Sequence, residues 1–211
     1  MSVNYLRISV TDRCNLRCTY CNPLGACDFI AHEEILTFEE IQRLVGLLAE
    51  CGIQKVRLTG GEPLVRKGIA GLVQRLADIS GIEEVSLTTN GVLLAPMAAE
   101  LKAAGATRVN ISVDSMERQT YQQMTGSDAL PEAIAGIHKA IEVGLAPVRI
   151  NSVIVKGLND GPEQIGALAG MSIDLPVVVR FIEYCPTGAH LALENGYVPN
   201  SEVRRIVESE F

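Results

Sequence analysis

The sequence predicts an α/β fold: six parallel strands with helices between them, the sheet either open or curled into a barrel. Three observations predict it. Short apolar, β-branched runs alternate with longer stretches whose apolar residues recur at helical spacing. Glycines fall where several of those stretches should stop. The alternation is as regular as βαβ units require, and such units build parallel sheets.

In chain order, "YLRISV" (5–10), "KVRLTG" (55–60), "EVSLTT" (84–89), "RVNISV" (108–113), "VRINSVIV" (148–155) and "VVVRFIE" (177–183) read as the strands. After the first, Phe38, Ile41, Leu44, Val45 and Leu48 share one helical face, and Thr37 with Glu40 has the form of a capping box. Ile69, Leu72, Val73, Leu76 and Ile79 repeat the helical period, as do Leu130, Ile134, Ile137 and Ile141. "ECG", "AAG" and "EVG" supply the terminating glycines, and "SEVRRIVESEF" reads as the start of another helix. No linker or low-complexity tract interrupts the pattern, so residues 1–211 are expected to form a single domain.

Composition narrows the function. Hydrophobic residues make up 47% of the 211, as in a globular chain, and the net charge of −7 excludes general nucleic-acid binding. The N-terminus lacks the features of a signal peptide, and no apolar run approaches the roughly 20 residues of a membrane helix. A cytoplasmic protein is therefore expected, its six cysteines serving as ligands or plain thiols rather than disulfides.

Each strand is followed by residues that a structural connection does not need. These are "CNLRCTYC", then "TGGEP", "TNG", "SVDS", "KGLND" and "EYCPTG". All six lie at the carboxyl edge of the strands, where parallel α/β proteins place active sites. The strands also carry cations: Lys55 and Arg57 share one face, and Arg7, Arg149 and Arg180 interrupt apolar runs. Salt bridges or exposed strand ends would explain any one of them. Together, and with Lys156 at the rim, they suit a polyanionic ligand gripped by arginine forks.

Cys14, Cys18 and Cys21 are spaced C-x3-C-x2-C with Tyr20 directly before the third. Three thiolates on a four-iron cluster leave one iron open to a substrate-like molecule. A zinc site completed by Cys27 or His32 is the other reading of the spacing.

The cysteine motif with its aromatic residue, followed by "GGEP" after the second strand, resembles the radical S-adenosylmethionine superfamily. The resemblance implies a partial (β/α)6 TIM-like barrel and a 4Fe–4S cluster on Cys14, Cys18 and Cys21. It also implies S-adenosylmethionine chelated to the open iron and cleaved to a 5′-deoxyadenosyl radical. More narrowly, "YLRISVTDRCNLRCTYCNP", "KVRLTGGEPLVRKGI", "LTTNGVLL", "VNISVDS", "VIVKGLND" and "VRFIEYCPTG" resemble, in order, the molybdenum cofactor biosynthesis protein A family of GTP 3′,8-cyclases. That resemblance implies GTP as substrate, a flavodoxin- or ferredoxin-type electron donor, and Tyr20, Gly61 and Ser112 in contact with S-adenosylmethionine. Arg7, Lys55, Arg57, Thr88, Lys156 and Arg180 would line the GTP site. A homodimer is left open.

Two departures from the family stand out. The family carries a second cysteine motif near its C-terminus, whereas only Cys27, Cys51 and Cys185 remain here after Cys21. A truncated chain is expected, with Cys51 a core thiol and Cys27 a loop thiol. Cys185 stands where the family has a methionine near the adenine, and a small thiol would still fill an apolar wall there. A radical enzyme acting on a peptide, and a non-catalytic zinc module, are the alternative functions.

Overall fold

The computed structural model describes residues 3–21, 29–185 and 195–211. Six strands form one parallel sheet in chain order: β1 (Tyr5–Ser9), β2 (Lys55–Thr59), β3 (Glu84–Thr89), β4 (Arg108–Ser112), β5 (Val148–Ile154) and β6 (Val177–Glu183). Each matches its expected run to within a residue. Between them come α1 (Phe38–Glu50), α2 (Ile69–Ala77), α3 (Leu94–Ala103), α4 (Arg118–Thr125), α5 (Leu130–Glu142) and α6 (Pro162–Asp174), with α7 (Asn200–Glu210) after β6. Gly52, Gly105 and Gly144 follow the ends of α1, α3 and α5 with positive φ, as the glycine spacing requires.

The sheet is curved and open. Tyr5 on β1 and Arg149 on β5 interact electrostatically, yet four strand spacings would part them by roughly 19 Å in a flat sheet. β1 pairs with β2 and β6 with β5, and β1 and β6 do not pair with each other. This is the expected partial (β/α)6 barrel.

Strand alternation divides the chemistry between the two faces. On β5, Val148, Ile150, Ser152 and Ile154 are buried towards the helices, whereas Arg149, Asn151 and Val153 are half-buried on the concave face. On β2, Val56 and Leu58 enter the core while Lys55, Arg57 and Thr59 face the concavity. The core therefore lies in the layer between sheet and helices, where Ile41, Val45, Leu72, Leu76, Leu101 and Ile137 meet Leu58, Leu87 and Ile111. The concave face is left for polar groups.

The Thr37 cap forms as its sequence requires. Thr37 Oγ1 accepts from the Glu40 N–H at 3.2 Å, and Glu40 Oε2 accepts from the Thr37 N–H at 2.7 Å. Thr37→Ala is expected to lower stability by about 1 kcal/mol in urea unfolding while leaving the active-site edge intact. Cys51 departs from expectation. It caps α1 beyond the buried stripe of Ile41 and Val45, so its thiol is exposed rather than in the core.

Candidate active site at the carboxyl edge

The strand register places the cations in layers. Lys55 lies between Tyr5 and Glu84, Arg57 between Arg7 and Ser86, Ser86 beside Arg108, Asn110 beside Arg149, and Asn151 beside Arg180. Arg7, Lys55, Arg57, Arg108, Arg149 and Arg180 thus line one face, and Glu84 is the one carboxylate among its strand residues. Glu84 Oε1 takes a hydrogen bond from Arg108 Nη2 at 2.5 Å. The guanidinium of Arg57 stands 5.2 Å from the Tyr5 ring centre. Burial pulls the Arg57 pKa down, and the nearby cations Arg108 and Arg7 pull it further. Burial, Arg108 and Arg180 do the same to Arg149. Cations that repel one another in a chain of net charge −7 make a surface short of anions. Arg57 Nε, Arg108 Nη1 and Asn110 Oδ1 are buried there without hydrogen-bond partners among the described residues.

Above this face lies the cysteine loop. Its backbone docks on the end of α4, with Arg17 N donating to Thr125 O and Thr19 N to Met124 O, each at 2.8 Å. Carbonyls left over at a helix end are thereby used to hold the loop. Cys18 and Cys21 are joined by a turn, the Cys21 N–H donating to Cys18 O at 3.0 Å. Burial pushes the Cys18 thiol up, and Asp114, Cys21 and Cys14 push it further. The three sulfurs therefore share one electrostatic neighbourhood. Burial likewise pushes the Cys14 thiol up.

The second loop is pressed against the first. Gly61 N donates to Thr11 O at 2.7 Å, and Glu62 N donates to Arg13 O at 2.8 Å. A Cβ on Gly61 would lie 2.3 Å from Arg13 O, so no other residue fits without displacing the loop. Glu62 is 1% exposed and fully employed. Its Oε1 accepts from Thr89 Oγ1 at 2.7 Å and from Leu64 N at 3.0 Å, and its Oε2 accepts from Asn90 N at 2.7 Å. The Asn90 amide in turn reaches Asn15 Oδ1 at 2.8 Å and Cys14 Sγ at 3.8 Å.

Tyr20 fastens the loop from the other side. Its ring packs with Met124, Val155 and Tyr184, and its hydroxyl donates to Asp114 Oδ2 at 2.6 Å. Asp114 Oδ1 accepts from Val153 N at 2.8 Å. Burial lifts the Asp114 carboxyl from 3.8 to about 6, against the lowering effect of those two donors. Folding therefore retains a proton on Asp114 that the unfolded chain has released, and stability from this group falls as pH rises through that window. The cost is about 3 kcal/mol once pH exceeds about 6. Asp114→Asn is expected to abolish this slope, read by urea unfolding at about pH 4 and about pH 7.

Of the residues expected at the site, Cys14, Cys18, Cys21, Tyr20, Gly61 and Ser112 lie at the carboxyl edge, and Ser112 ends β4. Arg7, Lys55, Arg57, Thr88 and Arg180 lie on the concave face. Lys156 is exposed two residues beyond β5, whereas Arg149 occupies the concave position on that strand. Cys185 is exposed beside Tyr184. Cys27 lies outside the described residues, and His32 borders a separate cleft with Arg13, Phe38 and Arg66. Among the described residues, no three His, Cys, Asp or Glu converge as a single metal ion would need. The sequence reading does not single out Glu62, Asn90, Arg108 or Asp114 individually. Arg108 opens an apolar strand, Asn90 and Asp114 follow closely on two others, and Glu62 sits within "GGEP".

An open parallel barrel with three cysteines on one loop at its carboxyl edge, over a cationic face, defines the class, and the chain belongs to the radical SAM superfamily, whose family model matches residues 8–169. Membership implies S-adenosylmethionine and an iron–sulfur cluster, and three cysteines on one loop are a donor set of the kind such a cluster takes. Within that class the chain is similar to proteins named GTP 3′,8-cyclase. It is 48% identical over 207 residues to that of Petrotoga mobilis, covering 98% of this chain and 64% of the relative. It is 46% identical over 209 residues to that of Peptoclostridium acidaminophilum, again covering 98% and 64%. The chain thus spans 64% of the length of these relatives. In fold it is similar to Streptococcus suis SuiB bound to S-adenosylmethionine, with a TM-score of 0.76 at 19% identity, covering 99% of this chain and 47% of that one. Among the described residues no helix is long and apolar enough to cross a membrane.

Proposed function

We propose that the chain supplies the catalytic barrel of a GTP 3′,8-cyclase, which turns GTP into 3′,8-cyclo-7,8-dihydroguanosine triphosphate for molybdenum cofactor biosynthesis. The observation that carries the reading is the cationic concave face, with its orphaned Arg57 and Arg108 nitrogens, directly below the three-thiol loop. In this reading Cys14, Cys18 and Cys21 hold a 4Fe–4S cluster, and Tyr20, Gly61, Ser112 and Cys185 border the S-adenosylmethionine. Those two groups, given one electron from a flavodoxin- or ferredoxin-type donor, supply removal of a hydrogen atom from an unactivated carbon.

The chain's own residues do the positioning. Arg7, Lys55, Arg57 and Arg180, joined by Arg108 and Arg149, grip the triphosphate deep along the strands. The ribose is thereby directed up towards the cysteine loop. Thr88 offers a hydroxyl on the same face, and Lys156 adds charge at the rim. The loop is kept still by the Tyr20–Asp114 bond on one side and the Gly61 and Glu62 contacts on the other.

Joining C3′ to C8 requires C3′ to lose its hydrogen. The test offers GTP deuterated at C3′ to the full-length protein carrying this chain, reconstituted anaerobically with iron, sulfide, S-adenosylmethionine and a reductant. Deuterium is expected in the deoxyadenosine released. Deoxyadenosine without deuterium from GTP would overturn the substrate. Bound zinc with no iron–sulfur absorbance would overturn the cofactors.

A further inference from the structure

The structure assigns Asn90 a role of its own: its side-chain amide donates to the Cys14 sulfur and so raises the reduction potential of the cluster that the three thiolates hold. The inference rests on the 4Fe–4S reading above. Asn90 is 8% exposed. Its backbone N–H is fixed by Glu62 Oε2 at 2.7 Å. Its Oδ1 accepts from the Val92 N–H at 3.1 Å. A backbone N–H can only donate, so this contact fixes which end of the amide is oxygen and turns the NH2 towards the cysteine loop. That NH2 reaches Asn15 Oδ1 at 2.8 Å and Cys14 Sγ at 3.8 Å. A second donor, the Leu16 N–H, approaches the same sulfur at 3.4 Å.

The physical consequence follows from charge. One-electron reduction adds negative charge to the cluster and its thiolates, and no proton need move. N–H donors aimed at a ligating sulfur stabilise that added charge more than they stabilise the oxidised form. In a half-buried site the effect is not quenched by water. Glu62 acts in the opposite sense, since its negative charge is felt at Cys14. It also holds the Asn90 backbone, so the same carboxylate that disfavours negative charge on Cys14 positions the donor that favours it.

A merely structural role for Asn90, tying the third loop to the first through Asn15, is separable by experiment. The readout is the midpoint potential of the cluster in the reconstituted full-length protein, from an anaerobic titration with dithionite followed optically and by electron paramagnetic resonance. Asn90→Ala removes the donor and is expected to move the potential more negative. Asn90→Asp keeps the shape and the Val92 contact but faces a carboxylate towards Cys14, so it is expected to move the potential further the same way. Asn15→Ala breaks the loop tie, keeps the donor, and is expected to stay at the wild-type potential. A wild-type potential in Asn90→Ala, or an equal shift in Asn15→Ala, would overturn the inference. So would Asn90 variants that fold, judged by circular dichroism, but take up no cluster, because Asn90 would then only hold the loop. If the wild-type protein itself takes up no cluster, the cofactor reading fails first.

Discussion

Replacing Arg57 and Arg108 together by alanine is expected to weaken GTP binding on the order of a thousandfold, because each removes a charge-assisted hydrogen bond worth about 1.5–3 kcal/mol. The expectation rests on the two orphaned nitrogens. Arg57 Nε and Arg108 Nη1 are buried donors with no hydrogen-bond partner among the described residues, so a ligand oxygen would complete them. Arg108 is also aimed by its bond to Glu84. Glu84→Gln should therefore weaken binding through loss of aim while removing a charge that competes with phosphate, a smaller net effect than either arginine loss. Equilibrium binding of GTP and of guanosine, each at low and high salt, checks the assignment. The triphosphate should lose affinity in the double variant and in salt, and guanosine should lose little. Equal losses for both ligands would place the phosphates elsewhere.

Gly61→Ala carries the second large effect, and it acts through packing. The new methyl would sit 2.3 Å from Arg13 O, 2.6 Å from Arg13 C and 2.8 Å from Asp12 O, all backbone atoms that cannot swing aside. The loops must part, and the bonds from Gly61 N to Thr11 O and from Glu62 N to Arg13 O go with them. A cost of roughly 2–4 kcal/mol is expected, together with poor iron retention, since Arg13 immediately precedes Cys14. Gly71→Ala is the control. It lies within α2 with open space around it, and should be neutral or stabilise by up to about 1 kcal/mol. Urea unfolding and iron content per chain read both.

The strands were legible because each is a short β-branched run closed by polar residues or glycine, and their ends moved by one residue at most. The helix before β5 was legible from Leu130 onward, whereas α4 was not. Its residues are mostly polar, and Tyr121 and Met124 give it a narrow buried stripe. Cations on the concave face could be read from strand parity, but Lys156 shows where parity runs out, since it lies past the strand end and Arg149 holds the inward position. Glu62, Asn90 and Asp114 stood inside motifs that looked chemical, yet their work depends on partners far away in sequence. Glu62 meets Asn90 28 residues on, and Tyr20 meets Asp114 94 residues on. Local pattern carries no trace of such pairings.

Those long separations have a consequence for biosynthesis. Cys14, Cys18 and Cys21 are synthesised before everything that immobilises their loop: Gly61 and Glu62, then Asn90, then Asp114, then the Thr125 carbonyl. Until Thr125 has emerged, the loop lacks part of that support, and its thiols are more open to oxidants and stray metals. Delivery of iron is therefore best timed after translation has passed β5, and a cell short of reductant would damage the newborn chain before the finished one.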